Sequence, residues 1–192
     1  AETALIRLFS KHRIDRAYLA VVHGHPAAGK IESMLVRDRG DGLRGSVLEQ
    51  RAKENDVAAQ PLTPTLSPEY RGEGENAGAE DQEAQQAITH VQPIDAIGDY
   101  SLIECRLETG RTHQIRIHLS ERGHMLCGEK TYTHPLGGRP QADASGAPRQ
   151  ALHAAELGFV HPVSGETIKL KSQLPVDLQQ WLQRLKSNVG SR

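Results

Sequence analysis

Residues 109–116 read TGRTHQIR: two guanidiniums, an imidazole, a carboxamide and two hydroxyls gathered around one glycine. These groups hold oxygen-rich ligands. Guanidinium forks and amides near the start of a helix suit phosphate oxygens and base edges, so the segment reads as an anion or nucleic-acid site. Its position depends on what surrounds it. Gly110 is expected to supply a backbone angle that other residues avoid. Thr112 is expected to cap a helix starting at His113, and Gly123 suits the helix end. On that helix Ile115 and Leu119 face inward, while Arg111, His113, Gln114 and Arg116 cluster near its start. Ile115, Ile117 and Leu119 also alternate with period two, which leaves a strand open.

The longer string TGRTHQIRIHL followed by Gly123-His124 resembles the third motif of the RluA family of pseudouridine synthases, TGRtHQiRvHla..GHpi.GD. Other segments fit the same family. YLAVVHG (residues 18–24) is similar to its K.Yla.v.G segment, with Arg16 where the family usually has Lys. Residues 29–47 resemble its G.i..pl.R…..m.V passage, and RQALHA (149–154) its RqaLHA element. Glu129 stands where the family has Asp, and Thr131-Tyr132-Thr133 replaces y..YG. The likeness covers nearly the whole chain outside residues 51–86 and the 134–148 loop.

The resemblance implies isomerisation of uridine to pseudouridine in RNA, more often ribosomal than transfer RNA, with no cofactor and no metal. It assigns catalytic roles to Arg116 and Tyr18, and RNA contacts to Arg111, Thr112, His113 and Gln114. His12-Arg13-Ile14-Asp15 looks like the family's nucleophile motif HRLDxxTSG, but Arg16-Ala17-Tyr18 follows with no TSG. Asp15 is therefore read as a surface residue, and the nucleophilic Asp is expected upstream of Ala1, beyond a chain that starts without Met. Arg116 is then expected in a cleft near the Tyr18 hydroxyl with no ideal carboxylate partner in this chain.

The totals bound the alternatives. The 192 residues carry net charge −1, low for a nucleic-acid binder. Residues 51–86 hold three Lys/Arg and eight Asp/Glu, leaving 20 and 16 elsewhere: a mildly basic body with an acidic insert. That insert, punctuated by Pro61, Pro64, Pro68, Gly72, Gly74 and Gly78, is expected to be disordered. Two cysteines make no disulfide framework. No membrane-length apolar run occurs, and a cytoplasmic monomer is expected.

The expected fold is α+β with a mainly antiparallel sheet flanked by helices, one partial catalytic domain over 1–192. Strands are expected at 18–22, 31–36 and 100–107 and in a hairpin at 152–171. Helices are expected at both termini and after Thr112. Leu178, Trp181, Leu182 and Leu185 share one face of the last, with Asp177 at its positive end. RDRGDGLR (37–44) reads as a solvated hairpin, and Arg149 and Lys169 as solvated face. Two competing readings are a non-catalytic RNA-binding module and a metal protein using His113, His118, His124, His134, His153 and His161. The histidine spacings match no ligand motif.

Overall fold

The computed structural model describes residues 14–48 and 84–189. Its elements in chain order are β1 (Asp15–His23), β2 (Gly29–Val36), β3 (Gly45–Ser46), β4 (Gln85–Ile97), β5 (Tyr100–Leu107), α1 (Gln114–Glu121), β6 (Leu152–Val160), β7 (Thr167–Lys171) and α2 (Val176–Val189). The strands form one seven-stranded sheet in the order β3-β2-β4-β5-β1-β6-β7, with every pairing antiparallel. The expected α+β class and hairpin hold. The amino-terminal helix expectation lies outside the described residues, as does the disorder expectation for nearly all of 51–86.

One boundary of that insert needs correction. Gln85 and Gln86 belong to β4, where Gln86 pairs with Met34. This strand is the longest of the sheet and lies between β2 and β5. Its proline does not break it, because Pro93 sits where the register to β5 shifts, and a bulge spares a proline the ladder bond it cannot donate.

The sheet separates two cores. One face carries Ala20, Val22, Val91, Ile103 and Cys105, packed with Ile115 and Leu119 of α1. Alternation along β1 sends Val21 to the other face, where Leu178 and Trp181 of α2 cover it. Leu182 and Leu185 complete the apolar stripe of α2. Trp181 donates its indole N–H to the Ser145 carbonyl at 3.0 Å, satisfying the one polar atom it buries. Of the described helices, α1 packs on the sheet face that also bears Tyr18 and α2 on the other.

Candidate functional site

The TGR turn is anchored by an amide that sequence reasoning had assigned to RNA. Gln114 is 2 % exposed. Its Oε1 accepts from the Thr109 hydroxyl at 2.8 Å and the Arg111 N–H at 3.0 Å. Its Nε2 donates to the Ile88 carbonyl at 2.9 Å and the Thr89 hydroxyl at 3.0 Å. A carboxamide offers two acceptor sites and two donors, and all four are used. Gln114 fastens α1 to β4 and has no group left for RNA. His118 extends the network, its two ring nitrogens bonded to the Thr89 and Ser33 hydroxyls at 2.9 Å each. Burial lowers its pKa to about 4, keeping the ring neutral.

The backbone differs from expectation here. Gly110 is not in the left-handed region; that conformation falls on His113, with φ 58. His113 is also the N-cap, without a side-chain cap bond, and α1 begins at Gln114. Thr112 is exposed in the turn and does not cap. A non-glycine residue in this region is strained unless its surroundings hold it. The holding group is Tyr132, whose hydroxyl meets His113 Nδ1 at 2.8 Å, with the rings edge to face at 5.5 Å.

Arg116 overturns a second expectation. Its Nε donates to Glu129 Oε2 and its Nη2 to Glu129 Oε1, both at 2.7 Å. Glu129 is the partner that Arg116 was expected to lack. The carboxylate is held from the other side by the backbone N–H groups of Lys130 at 3.0 Å and Thr131 at 2.8 Å. Burial alone would raise its pKa, but the Arg116 hydrogen bonds and the Thr131 amide outweigh that and hold it below its ordinary value. The aromatic ring facing the Arg116 guanidinium is Tyr132, at 4.8 Å to the centroid. Tyr18 instead packs half-buried against the cluster containing Ile115.

The RDRGDGLR stretch is the expected hairpin turn, joining β2 to β3 and largely exposed, but Arg39 within it is buried. Asp38 Oδ1 accepts the N–H groups of Gly40 and Gly42 at 2.7 and 2.9 Å, closing the turn. Arg39 is 4 % exposed, paired with Asp41 at 3.1 Å and placed 5.9 Å from the Tyr132 ring centre. Charges on Arg39, Arg44 and Arg116 all bear on the buried Tyr132 phenol. Burial first, then the charges of Arg116 and Arg44, lower the His113 pKa. Sequence reasoning missed Tyr132 and Arg39. The available signal was the three-residue step from Glu129 to Tyr132, which lets one turn present both to Arg116.

Other expectations resolve simply. Asp15 is exposed. Arg149 is held by Asp177 at 2.7 Å. Arg111 donates from Nε to the Gln86 carbonyl at 3.1 Å, tying the turn to the first residues of β4. The six histidines of the metal reading do not converge. Among the described residues, the one group of three or more ligand-type side chains that comes together is His23, Cys127 and Asp143. Cys105 and Cys127 are buried and free, and burial pushes both thiols up to about 12. No described helix is long and apolar enough to cross a membrane.

A family model described as RNA pseudouridylate synthase matches residues 1–121. The ribosomal large subunit pseudouridine synthase D of Zymomonas mobilis is 36 % identical over 181 residues, 93 % of this chain and 47 % of that protein. The protein of the same name from Neisseria meningitidis serogroup B is 33 % identical over 99 % of this chain and 44 % of its own length. An uncharacterized RNA pseudouridine synthase of Bacillus subtilis is 32 % identical over 98 % of the chain and 50 % of that protein. The chain thus spans about half the length of the curated relatives it matches. Among solved structures, human RNA pseudouridylate synthase domain containing 4 superposes with TM-score 0.65 at 20 % identity, covering 96 % of this chain and 67 % of that one. At that identity the likeness concerns the fold.

Proposed function

Because the chain belongs to the RNA pseudouridylate synthase family, we propose that the protein carrying it isomerises uridine to pseudouridine in structured RNA, with ribosomal RNA ahead of transfer RNA as substrate. The observation that carries this reading is the TGR turn and α1, buttressed by Gln114, standing over the sheet face that also bears Tyr18. The reaction breaks the bond from ribose C1′ to uracil N1 and forms one from C1′ to C5. C5 loses its proton and N1 gains one, so no oxidant or reductant is needed. The target base must leave the stack to be reached.

In this reading Tyr18 contacts the uracil, and Arg116 polarises the reacting centre with the guanidinium edge not used by Glu129. Arg111, Thr112 and His113 form the RNA-facing rim. Gln114 is structural. Beyond the other end of α1 the same face opens into a groove of about 360 Å³ lined mostly by small and apolar residues, with Lys30, Arg122 and His124 at its border. The carboxylate of the reaction is not assigned to Glu129, which Arg116 already occupies, nor to exposed Asp15. We place it in sequence preceding residue 1. The test is tritium release from RNA labelled at uridine C5. The 192-residue chain alone should release none, and a version extended upstream to include the aspartate motif should release tritium. Turnover by the 192 residues that Asp15→Asn removes would sink the assignment.

A further inference from the structure

Several arginines among the described residues have carboxylate partners. Glu129 holds Arg116, Asp41 holds Arg39, Glu104 holds Arg106 and Asp177 holds Arg149. Arg16 differs. It is half-buried on β1, two residues before Tyr18, and so on the same sheet face. Its Nε is buried without a hydrogen-bond partner, and among the described residues no carboxylate pairs with it. The adjacent Asp15 is no partner, because its side chain lies against Gly158, near the Arg106 charge. A buried guanidinium N–H without an acceptor is costly and calls for an explanation.

The position of that guanidinium is specific. It rests on Gly110, where an added Cβ would lie 2.1 Å from Nη1 and 2.8 Å from Cζ. Gly110 has no left-handed backbone angle, and any side chain there would have to displace this guanidinium. The contact places Arg16 at the turn that also presents Arg111, whose Nε is committed to Gln86. The Arg16 guanidinium thus sits at the glycine of the TGR turn, on the face carrying Tyr18 and α1.

We propose that Arg16, seated on Gly110, is an anion-binding residue of the site and takes a phosphate oxygen of the RNA strand beside the target uridine. The planar fork matches a phosphodiester's paired oxygens. This assignment rests on the RNA reading above and adds to it a residue and a subsite. It also gives the glycine of the TGR turn a stated task, which is to seat Arg16.

The test measures binding of a fluorescently labelled, uridine-containing RNA stem-loop to the 192-residue chain across a salt series. Arg16→Gln should weaken binding about tenfold and reduce the slope of log affinity against log salt by about one. Gly110→Ala keeps every charge but displaces the guanidinium, and it should reproduce most of that loss. Arg16→Lys, which keeps the charge, should recover the slope and part of the affinity, separating lost charge from lost fold. Arg184→Gln on α2, across the sheet, should bind as the unaltered chain does. If the unaltered chain binds RNA and both Arg16→Gln and Gly110→Ala match it at every salt, Arg16 has no such role while the RNA reading stands. If Arg16→Gln weakens binding and Gly110→Ala does not, Arg16 contributes only diffuse charge and the seated geometry is wrong. If the unaltered chain binds no RNA at any salt, both proposals fall.

Discussion

Arg116 and Glu129 meet through two parallel hydrogen bonds of 2.7 Å, with the carboxylate side chain 1 % exposed and the arginine 12 %. Tyr132 seals this pair. Its ring faces the guanidinium, and its hydroxyl holds the strained His113 that opens α1. The loop after α1 therefore governs the geometry of the motif helix, although thirteen residues separate Glu129 from Arg116.

Removing one member of a buried pair leaves the other unpaired, which costs about 3–5 kcal/mol. Glu129→Ala should therefore lower the melting temperature by roughly 6–20 °C for a chain of this size. Glu129→Gln, which still accepts hydrogen bonds, should lose less. Differential scanning calorimetry decides it. A drop below about 2 °C for Glu129→Ala would show that the pair is not structural.

Gln114→Ala strips partners from the Thr109 and Thr89 hydroxyls and the Ile88 carbonyl. Unsatisfied buried groups cost about 1–3 kcal/mol each, relieved in part by water entry. Gln114→Ala should destabilise the chain far more than Arg111→Ala, and urea unfolding of the two variants measures the difference. Equal stability would mean that Gln114 is not the strut described.

Tyr132→Phe keeps the ring over Arg116 and removes only the bond to His113. The expected stability loss is about 1 kcal/mol. The His113 ring, no longer held by the hydroxyl, should also become more exposed, and since burial is the first cause of its lowered pKa, that pKa should rise. Titration followed by imidazole proton resonances checks this. A His113 pKa unchanged in the Phe variant would dissociate Tyr132 from it.

His118 sets a pH limit on folding. Its pKa is about 4 when folded and 6.5 as a free side chain, so between those values the unfolded chain binds more protons. The stabilisation is complete above pH 6.5 and is lost as pH falls toward 4, by about 1.4 kcal/mol per unit, or about 3 kcal/mol in all. Replacing His118 with Gln should flatten that part of the stability curve. A curve of unchanged steepness would show that His118 is not the group responsible.

The two thiols should be inert in the native state, because both are buried and both are pushed up to about 12. A thiol-reactive chromophore should label neither at pH 7.5 and both in denaturant. Fast native labelling of either would contradict its burial.

Local pattern and composition sufficed for what depends on near neighbours. The alternation of YSLIECRL announced β5, the spacing of Leu178, Trp181, Leu182 and Leu185 announced the buried stripe of α2, and the TGRTHQIR string announced the family. What failed were statements about partners distant in the chain, because a side chain's role depends on what the fold places against it. Gln114 and Arg111 look alike as polar motif residues, yet β4 and the turn between them take all four groups of one amide, while β4 takes a single guanidinium nitrogen of the other. Arg39 sits in a loop as charged as any solvated turn, yet it is buried, 5.9 Å from the centre of the Tyr132 ring. The 13-residue β4 was obscured by its own proline and by the acidic stretch before it. Gly110 was legible as special, but for the wrong reason. Its task is set by Arg16, 94 positions away in the chain, and no local rule relates a glycine to a guanidinium that only the closed sheet brings to it.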